Sequence, residues 1–147
     1  MNIETIEDTL ISLIKQNMNY LKTVDIYQGE LDEDDIKSVV KRFPAVLIYM
    51  EAAKYSVRSA HLRWQKVTIT FLVCDKNLRN RKQSRRGSTT NPGTYSILKD
   101  LFDLIFNSDL GLTGQIHPLD IEMEDAITNR KGASIYAATY KTQFAKN

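Results

Sequence analysis

The residues that come closest to a catalytic set are two carboxylates and a lysine in the first half of the chain. Glu51 and Lys54 follow an apolar run, and Asp25 lies in an earlier candidate strand. A metal-dependent nuclease uses such groups because a bound cation and a positive side chain stabilise charge on a phosphate. No compact Asp…Glu-x-Lys pattern occurs, so we favour a solvated strand edge and keep a nuclease as a rival hypothesis.

A second set of carboxylates, Asp120, Glu122 and Glu124, recurs at two-residue spacing. In a strand this spacing places the side chains on one face. Like charges arranged in this way could bind a cation through their oxygen atoms. Such a stripe more often faces solvent or a partner protein, and this is the interpretation that we favour.

The sequence contains one cysteine, Cys74, and two histidines, His61 and His117. One cysteine excludes a disulfide within the chain, and a zinc site needs more ligands of the right kind. Free cysteine is usually structural, so we expect Cys74 to be buried in a strand, although spacing alone leaves a Cys–His nucleophilic pair open. The sequence has no phosphate-binding glycine loop, GxSxG or HExxH motif. We therefore predict no enzyme activity, no catalytic residues and no metal or cofactor site.

The most distinctive feature of the sequence is its uneven charge. The net charge is +2, but residues 76–88, KNLRNRKQSRRGS, contain no acidic residue. We call 76–88 the basic segment. Its cationic residues are Lys76, Arg79, Arg81, Lys82, Arg85 and Arg86. The rest of the chain is therefore net acidic.

The acidic residues also cluster. The first acidic group contains Glu30, Asp32, Glu33, Asp34 and Asp35, and the second contains Asp120, Glu122, Glu124 and Asp125. Complementary charged surfaces orient association more than they add affinity. Three interpretations of the basic segment stay open: a solvated tip, an arm that binds DNA phosphates, or an arm that orders against an acidic protein. In a homo-oligomer, that protein could be the adjacent copy.

The length and composition are those of a folded protein. A chain of 147 residues is expected to form one domain over residues 1–147. The longest apolar run, around Pro44 to Met50, is far shorter than the roughly 20 residues of a membrane span. The opening MNIETIEDT is acidic where a signal peptide would be basic. We therefore expect a cytosolic product with no export and no membrane contact.

The spacing of apolar residues predicts the secondary structure. The expected order is helix 3–21, strand 24–27, helix 33–42, strands 45–50 and 64–73, a loop of about 17 residues over 76–93, helix 94–105, strand 119–124, a turn at 129–132 and strand 134–144. The two central strands are expected to form a hairpin. This order predicts an α+β fold with a mostly antiparallel sheet and helices packed on one face.

The order and spacing of several blocks resemble a family of Mu-like phage and prophage proteins. The blocks run nearly end to end and read IEDTLISLIKQ, VDIYQGELDEDDIKSVVKRFPAVLIYM, FLVCDKNLRNRKQSRRG, PGTYSILKDLFDLI and SIYAATYKTQF. None of them is catalytic. The fold of this family is similar to that of phage tail terminator proteins, which cap the tail tube as a six-membered ring.

The resemblance implies a structural protein that stops tail-tube growth at its head-facing end and receives the neck. The implied partners are further copies in a hexameric ring, the tail tube protein, the head–neck connector and, as a further candidate, the tail sheath. DNA would be passing cargo, and the protein would act in the host cytoplasm during assembly and then in the virion tail. We expect the basic segment and the two acidic groups to form the interfaces. The alternatives are a DNA-binding accessory protein or another neck protein of the same fold.

Overall fold

The chain folds around one twisted sheet. The structure, a computed structural model, describes residues 1–29, 31, 39–76, 81–88, 91–128 and 133–146. The elements are α1 (Ile3–Asn17), β1 (Thr23–Ile26), β2 (Ala45–Val57), β3 (Arg63–Lys76), α2 (Arg81–Arg86), α3 (Thr94–Ile105), β4 (Asp120–Thr128) and β5 (Ala133–Lys146). The strand order is β1-β2-β3-β5-β4, and only the β1–β2 pair is parallel. The predicted α+β fold with a mostly antiparallel sheet is confirmed.

Helices α1 and α3 cover one face of the sheet. The helix α1 begins after its N-cap residue Asn2, whose side chain accepts a 2.8 Å hydrogen bond from the Thr5 amide. The apolar stripes of the two helices are buried against residues such as Ile69 and Phe71 of β3. The stripe residues are Ile6, Leu10, Ile14, Ile97, Leu101 and Ile105. Burial of these side chains removes apolar area from water, which stabilises the fold.

The helix α1 is shorter than predicted. It ends at Asn17, and Met18 is its C-cap residue. The chain then turns towards the sheet, where the Lys22 amide donates a 2.8 Å hydrogen bond to the Pro44 carbonyl. Leu21 packs against the core from outside the helix, so its apolar spacing reflected tertiary packing rather than another helical turn.

The opposite face of the sheet is covered over part of its length by residues 39–43. Val39, Val40 and Phe43 are buried there against Leu47 and a smaller group of apolar residues. Cys74 belongs to this group and is fully buried, so the predicted structural role of this thiol is confirmed. The predicted helix 33–42 is described only from residue 39 onward. We name this side of the sheet the second face.

The central strands are longer than predicted. Strand β2 runs to Val57, and the β2–β3 register pairs Ala45 with Cys74 at one end and Val57 with Arg63 at the other. The predicted hairpin is confirmed, and a bulge lies between Met50 and Ala52. The second half of the hairpin extends beyond β1, which pairs with β2 only as far as Ile48.

Candidate interaction surfaces

The basic segment contains a docked helix rather than an open loop. Residues 81–86 form α2, which contradicts the predicted loop over 76–93 at this point. Ser84 of α2 is buried. The Gln83 carbonyl accepts a 2.7 Å bond from the Gly87 amide and a 3.1 Å bond from the Asn91 side chain. The end of α2 is therefore capped by groups that follow it in the chain.

A buried carboxylate, Asp75, holds the segments on either side of α2 together. Its Oδ2 atom accepts a 2.5 Å bond from the Gly93 amide and a 3.2 Å bond from Asn91, and its Oδ1 atom accepts a 2.7 Å bond from the Lys76 amide. Burial raises the pKa of Asp75, and these three hydrogen bonds oppose that rise. Asp75 thus ties the end of β3 to the start of α3.

Two glycines allow the chain to close tightly around α2. Gly87 and Gly93 have φ angles of +90° and +85°, a region that glycine adopts at little cost. A Cβ atom on Gly87 would collide with the Pro92 carbonyl, and one on Gly93 would collide with the Gly87 nitrogen. Backbone therefore packs against backbone where α2 meets α3.

One arginine of the basic segment packs on tyrosines. The Arg85 guanidinium carbon lies 5.8 Å from the centre of the Tyr136 ring. The ring of Tyr95 lies 5.8 Å from that of Tyr136 at an angle of 73°. Tyr95 is exposed. Tyrosine and arginine are enriched where protein interfaces bury their most important contacts, so this cluster is a candidate contact surface.

The cations of the basic segment do not share one environment. Lys82 and Arg86 of α2 are exposed. Lys76 is half-buried at the end of β3, where burial and the nearby charge of Lys22 lower its pKa. Arg81 lies in the first turn of α2. Arg79 falls outside the described residues, and so does the whole first acidic group, Glu30, Asp32, Glu33, Asp34 and Asp35.

The acidic strand β4 forms one edge of the sheet. Asp120, Glu122 and Glu124 are all exposed, but they do not share a face as the sequence predicted. The register pairs Asp120 with Lys141 and Glu124 with Ala138, with a bulge between Ile121 and Met123. One extra residue in a strand reverses the alternation of the side chains. Asp120 therefore points to the second face, and Glu124 points to the face that carries α1 and α3.

The edge formed by β4 exposes apolar side chains as well as acidic ones. Met123 and Ile127 are 56% and 55% exposed. No described strand pairs with the outer side of β4. Although the Glu124 side chain is exposed overall, neighbouring groups partly desolvate its carboxylate and raise its pKa. Burial raises the pKa of Tyr140, and the nearby charge of Glu124 adds to that rise. The strand thus combines free backbone groups, acidic side chains and exposed apolar side chains.

The residues considered for catalysis do not converge. Asp25 pairs in register with Leu47, whereas Glu51 and Lys54 lie beyond the end of β1. The Glu51 carboxylate accepts a 3.0 Å hydrogen bond from the Tyr49 hydroxyl. Among the described residues, no group of three His, Cys, Asp or Glu side chains is placed to hold a metal ion.

The Cys–His pair is not assembled either. Cys74 lies near the end of β3, whereas His61 precedes that strand. The His117 ring lies 5.1 Å from the ring of Trp64, at the start of β3. Both histidines therefore lie towards the opposite end of β3 from the buried thiol.

Comparison with known proteins agrees with the order of blocks seen in the sequence. A family model described as "Bacteriophage Mu, Gp37" matches residues 2–145. The chain belongs to this family. The match confirms the resemblance to Mu-like phage proteins over nearly the whole chain.

One similar solved chain comes from a structure described as "Virion of native gene transfer agent (GTA) particle". The two chains are 7% identical, with a TM-score of 0.48 over 80% of this chain and 90% of the other. This likeness concerns the course of the backbone and assigns no role to the Gp37 family chain. No curated protein matches the sequence. Within the described part of the chain, no helix is long and apolar enough to cross a membrane.

Proposed function

We propose that this protein is a structural component of a phage tail, which caps the head-facing end of the tail tube as a closed ring and receives the head–neck connector. Membership of a bacteriophage family supports a role in the virus. The resemblance to tail terminators suggests six copies in the ring. A structural role of this kind uses surfaces and needs no catalytic group.

The observation that carries this proposal is the pair of open edges on one sheet. Among the strands that the structure describes, none pairs with the outer side of β4 or with β2 beyond Ile48, where β1 ends. Natural sheets usually protect such edges, because unpaired backbone groups attract other strands. The open part of β2 also exposes apolar side chains, with Tyr55 at 56% and Val57 at 73% exposure.

The two edges also differ in charge. Strand β4 carries Asp120, Glu122, Glu124 and Asp125, whereas the open part of β2 carries one carboxylate and one lysine, Glu51 and Lys54, and is followed by Arg58. The edges lie on opposite sides of the sheet, so contact between them joins different surfaces of two copies. Such a head-to-tail contact forms a ring when its rotation closes. The acidic β4 edge of one copy would lie against the less acidic β2 edge of the next, with Arg58 beside it, and this difference in charge would help to orient the two copies.

The surface around α2 is then available for a different neighbour. Lys82 and Arg86 are exposed beside the cluster of Arg85, Tyr95 and Tyr136. Charged residues around an aromatic centre are typical of protein interfaces. We assign this surface to the tail tube protein or the head–neck connector, with the sheath as a further neighbour in a contractile tail.

The decisive experiment is tail length, measured by electron microscopy in a phage that carries this gene. Deletion of the gene should give overlong or irregular tails without heads, because nothing would stop tube growth. Tails of normal length that fail to join heads would place the protein in the neck instead. Normal infectious particles would contradict the tail assignment.

Variants of α2 would then test the second contact surface. Complementation with Lys82→Glu combined with Arg86→Glu should give few completed particles, because both side chains are exposed and their charge is reversed. Lys99→Glu is the matched control, since Lys99 is an exposed lysine on α3. Equal particle yields from the two variants would remove α2 from the contact surface.

A further inference from the structure

Three lysines lie together on the second face of the sheet, beyond the part that residues 39–43 cover. Lys54 and Lys66 are directly opposite each other in the β2–β3 register. On the next strand, Lys141 pairs with Thr68, one step along the same face. All three lysines are exposed. We name Lys54, Lys66 and Lys141 the lysine face.

The lysine face places like charges close together on neighbouring strands. Like charges directly opposite each other across two strands destabilise a sheet. Among the described residues, no carboxylate forms an ion pair with any of these lysines. Asp120 pairs in register with Lys141, but no bond joins the two side chains. An anionic ligand would relieve this repulsion.

The same face has a cleft beside two of the lysines. Its volume is about 280 Å³, and it is lined by Lys66, His117, Pro118, Asp120, Lys141, Thr142 and Gln143. The Gln143 and His117 side chains are 3.1 Å apart, and the His117 amide donates a 2.9 Å hydrogen bond to the Gln143 carbonyl. These bonds fix the wall of the cleft against β5.

A fourth cation extends the positive surface past the lysines. The Arg58 guanidinium carbon lies 4.7 Å from the centre of the Trp64 ring. Trp64 also contacts the His117 ring edge-on. Arg58 and Trp64 line a second cleft of about 390 Å³, which shares His117 and Pro118 with the first. The cations therefore follow a path across the sheet rather than a single pocket.

We propose that the lysine face binds the phosphate backbone of nucleic acid, independently of base sequence. Between the lysines lie polar side chains, Thr68 and Gln143. The large aromatic side chain beside them, Trp64, is already in contact with Arg58 and His117. Protein interfaces depend on buried aromatic or apolar anchors, whereas phosphate groups are bound by lysine together with threonine, glutamine and similar donors. This composition favours nucleic acid over an acidic protein. The proposal does not depend on ring formation.

Fluorescence anisotropy with a short labelled DNA duplex, over a series of salt concentrations, tests the proposal. The wild-type chain should bind at low salt, with affinity that falls steeply as salt rises. The variant Lys54→Gln, Lys66→Gln and Lys141→Gln should bind at least about tenfold more weakly. Its logarithmic salt slope should fall by about 0.9 for each phosphate contact that is lost. Its thermal unfolding midpoint should equal or exceed that of the wild type, since like charges have been removed.

Two control proteins locate the binding surface. Lys99→Gln should bind as the wild type does. Binding that disappears in Lys82→Gln combined with Arg86→Gln, but persists in the triple lysine variant, would place DNA on α2 and overturn the proposal. Absence of wild-type binding at low salt would also overturn it. Poly-glutamate that displaces the duplex at equal concentrations of charge would point to an acidic protein instead.

Discussion

The helix α2 and the strand β4 are both charged segments, but the protein holds them in opposite ways. Helix α2 is packed against the body and lies between segments that the buried Asp75 and two positive-φ glycines hold together. Strand β4 pairs only with β5 among the described strands and exposes the apolar side chains of Met123 and Ile127. Charge alone therefore does not show whether a segment is anchored. The partners that anchor α2 come from outside the helix.

Gly93→Ala should produce the largest loss of stability. Gly93 has φ 85° and ψ 147°, a region essentially restricted to glycine, and a Cβ atom would meet backbone. We expect the free energy of unfolding to fall by about 3 kcal/mol or more, as measured by urea denaturation.

Gly111→Ala is the matched control for this change. Gly111 also has a positive φ, +74°, but nothing lies within 4 Å of the position of its Cβ atom. The substitution therefore adds only backbone strain, and we expect the free energy of unfolding to fall by about 1 kcal/mol. Equal losses at Gly93 and Gly111 would show that close backbone packing around α2 contributes little.

Asp75→Ala should have the next largest effect. The substitution leaves the buried Gly93 amide and the Lys76 amide without the acceptor that they use in the native protein. We expect the free energy of unfolding to fall by about 2 kcal/mol. Asp125→Ala on the exposed strand β4 should change it by less than about 0.5 kcal/mol. A loss at Asp125 as large as that at Asp75 would remove the contrast between the two regions.

The same carboxylate should make stability depend on pH. The native pKa of Asp75 is raised above its usual value of 3.8 by burial, so the native state binds the proton more tightly than the unfolded state does. The contribution of Asp75 to stability is therefore fully present below pH 3.8 and is lost as the pH rises through the native pKa.

The stability of the wild type relative to Asp75→Asn should accordingly decline as the pH rises through this range. Urea denaturation at a series of acidic pH values measures this difference. An increase with pH would mean that the hydrogen bonds from Lys76, Asn91 and Gly93 outweigh burial.

Met123→Lys should have the smallest effect on stability. Met123 is exposed on β4, so we expect a change below about 0.5 kcal/mol. The substitution should nevertheless reduce self-association, because a lysine on an edge strand discourages strand pairing. Sedimentation velocity at increasing concentration measures this effect, with Ser96→Lys on α3 as the control. Unchanged association would exclude the β4 edge from the interface between copies.

The parts of the fold that could be predicted from sequence are those with regular apolar spacing. The stripe of α3 and the alternation in β3 each identify the side chains that pack between the helices and the sheet, so the pattern itself specifies these contacts. The other face of β3 is also buried near its end, at Thr70, Leu72 and Cys74, which alternation does not predict. The helix α2 has no such stripe. Its position depends on Asp75, which precedes Asn91 and Gly93 by 16 and 18 residues, and no local pattern reveals a contact of that kind.

Local sequence patterns are also insufficient to predict the charged surfaces. The acidic residues of β4 were identified from their spacing, but the bulge after Ile121 separates Asp120 from Glu124. A bulge leaves the composition of a strand unchanged while it reverses the direction of every later side chain. The lysine face was missed because Lys54, Lys66 and Lys141 come from three different strands. Only the strand register brings them together.

The buried thiol of Cys74 offers a natural reporter for transient opening of the native state. Cys74 lies beside Asp75 in β3 and is covered by the group that includes Phe43. A thiol reagent can reach it only while that cover is open, so the rate of labelling under native conditions measures how often opening occurs. If Asp75→Ala accelerates labelling while Asp125→Ala does not, the carboxylate and the cover belong to one cooperative unit. The hydrogen bonds of Asp75 would then determine how long Cys74 stays covered, as well as the equilibrium stability of the native state.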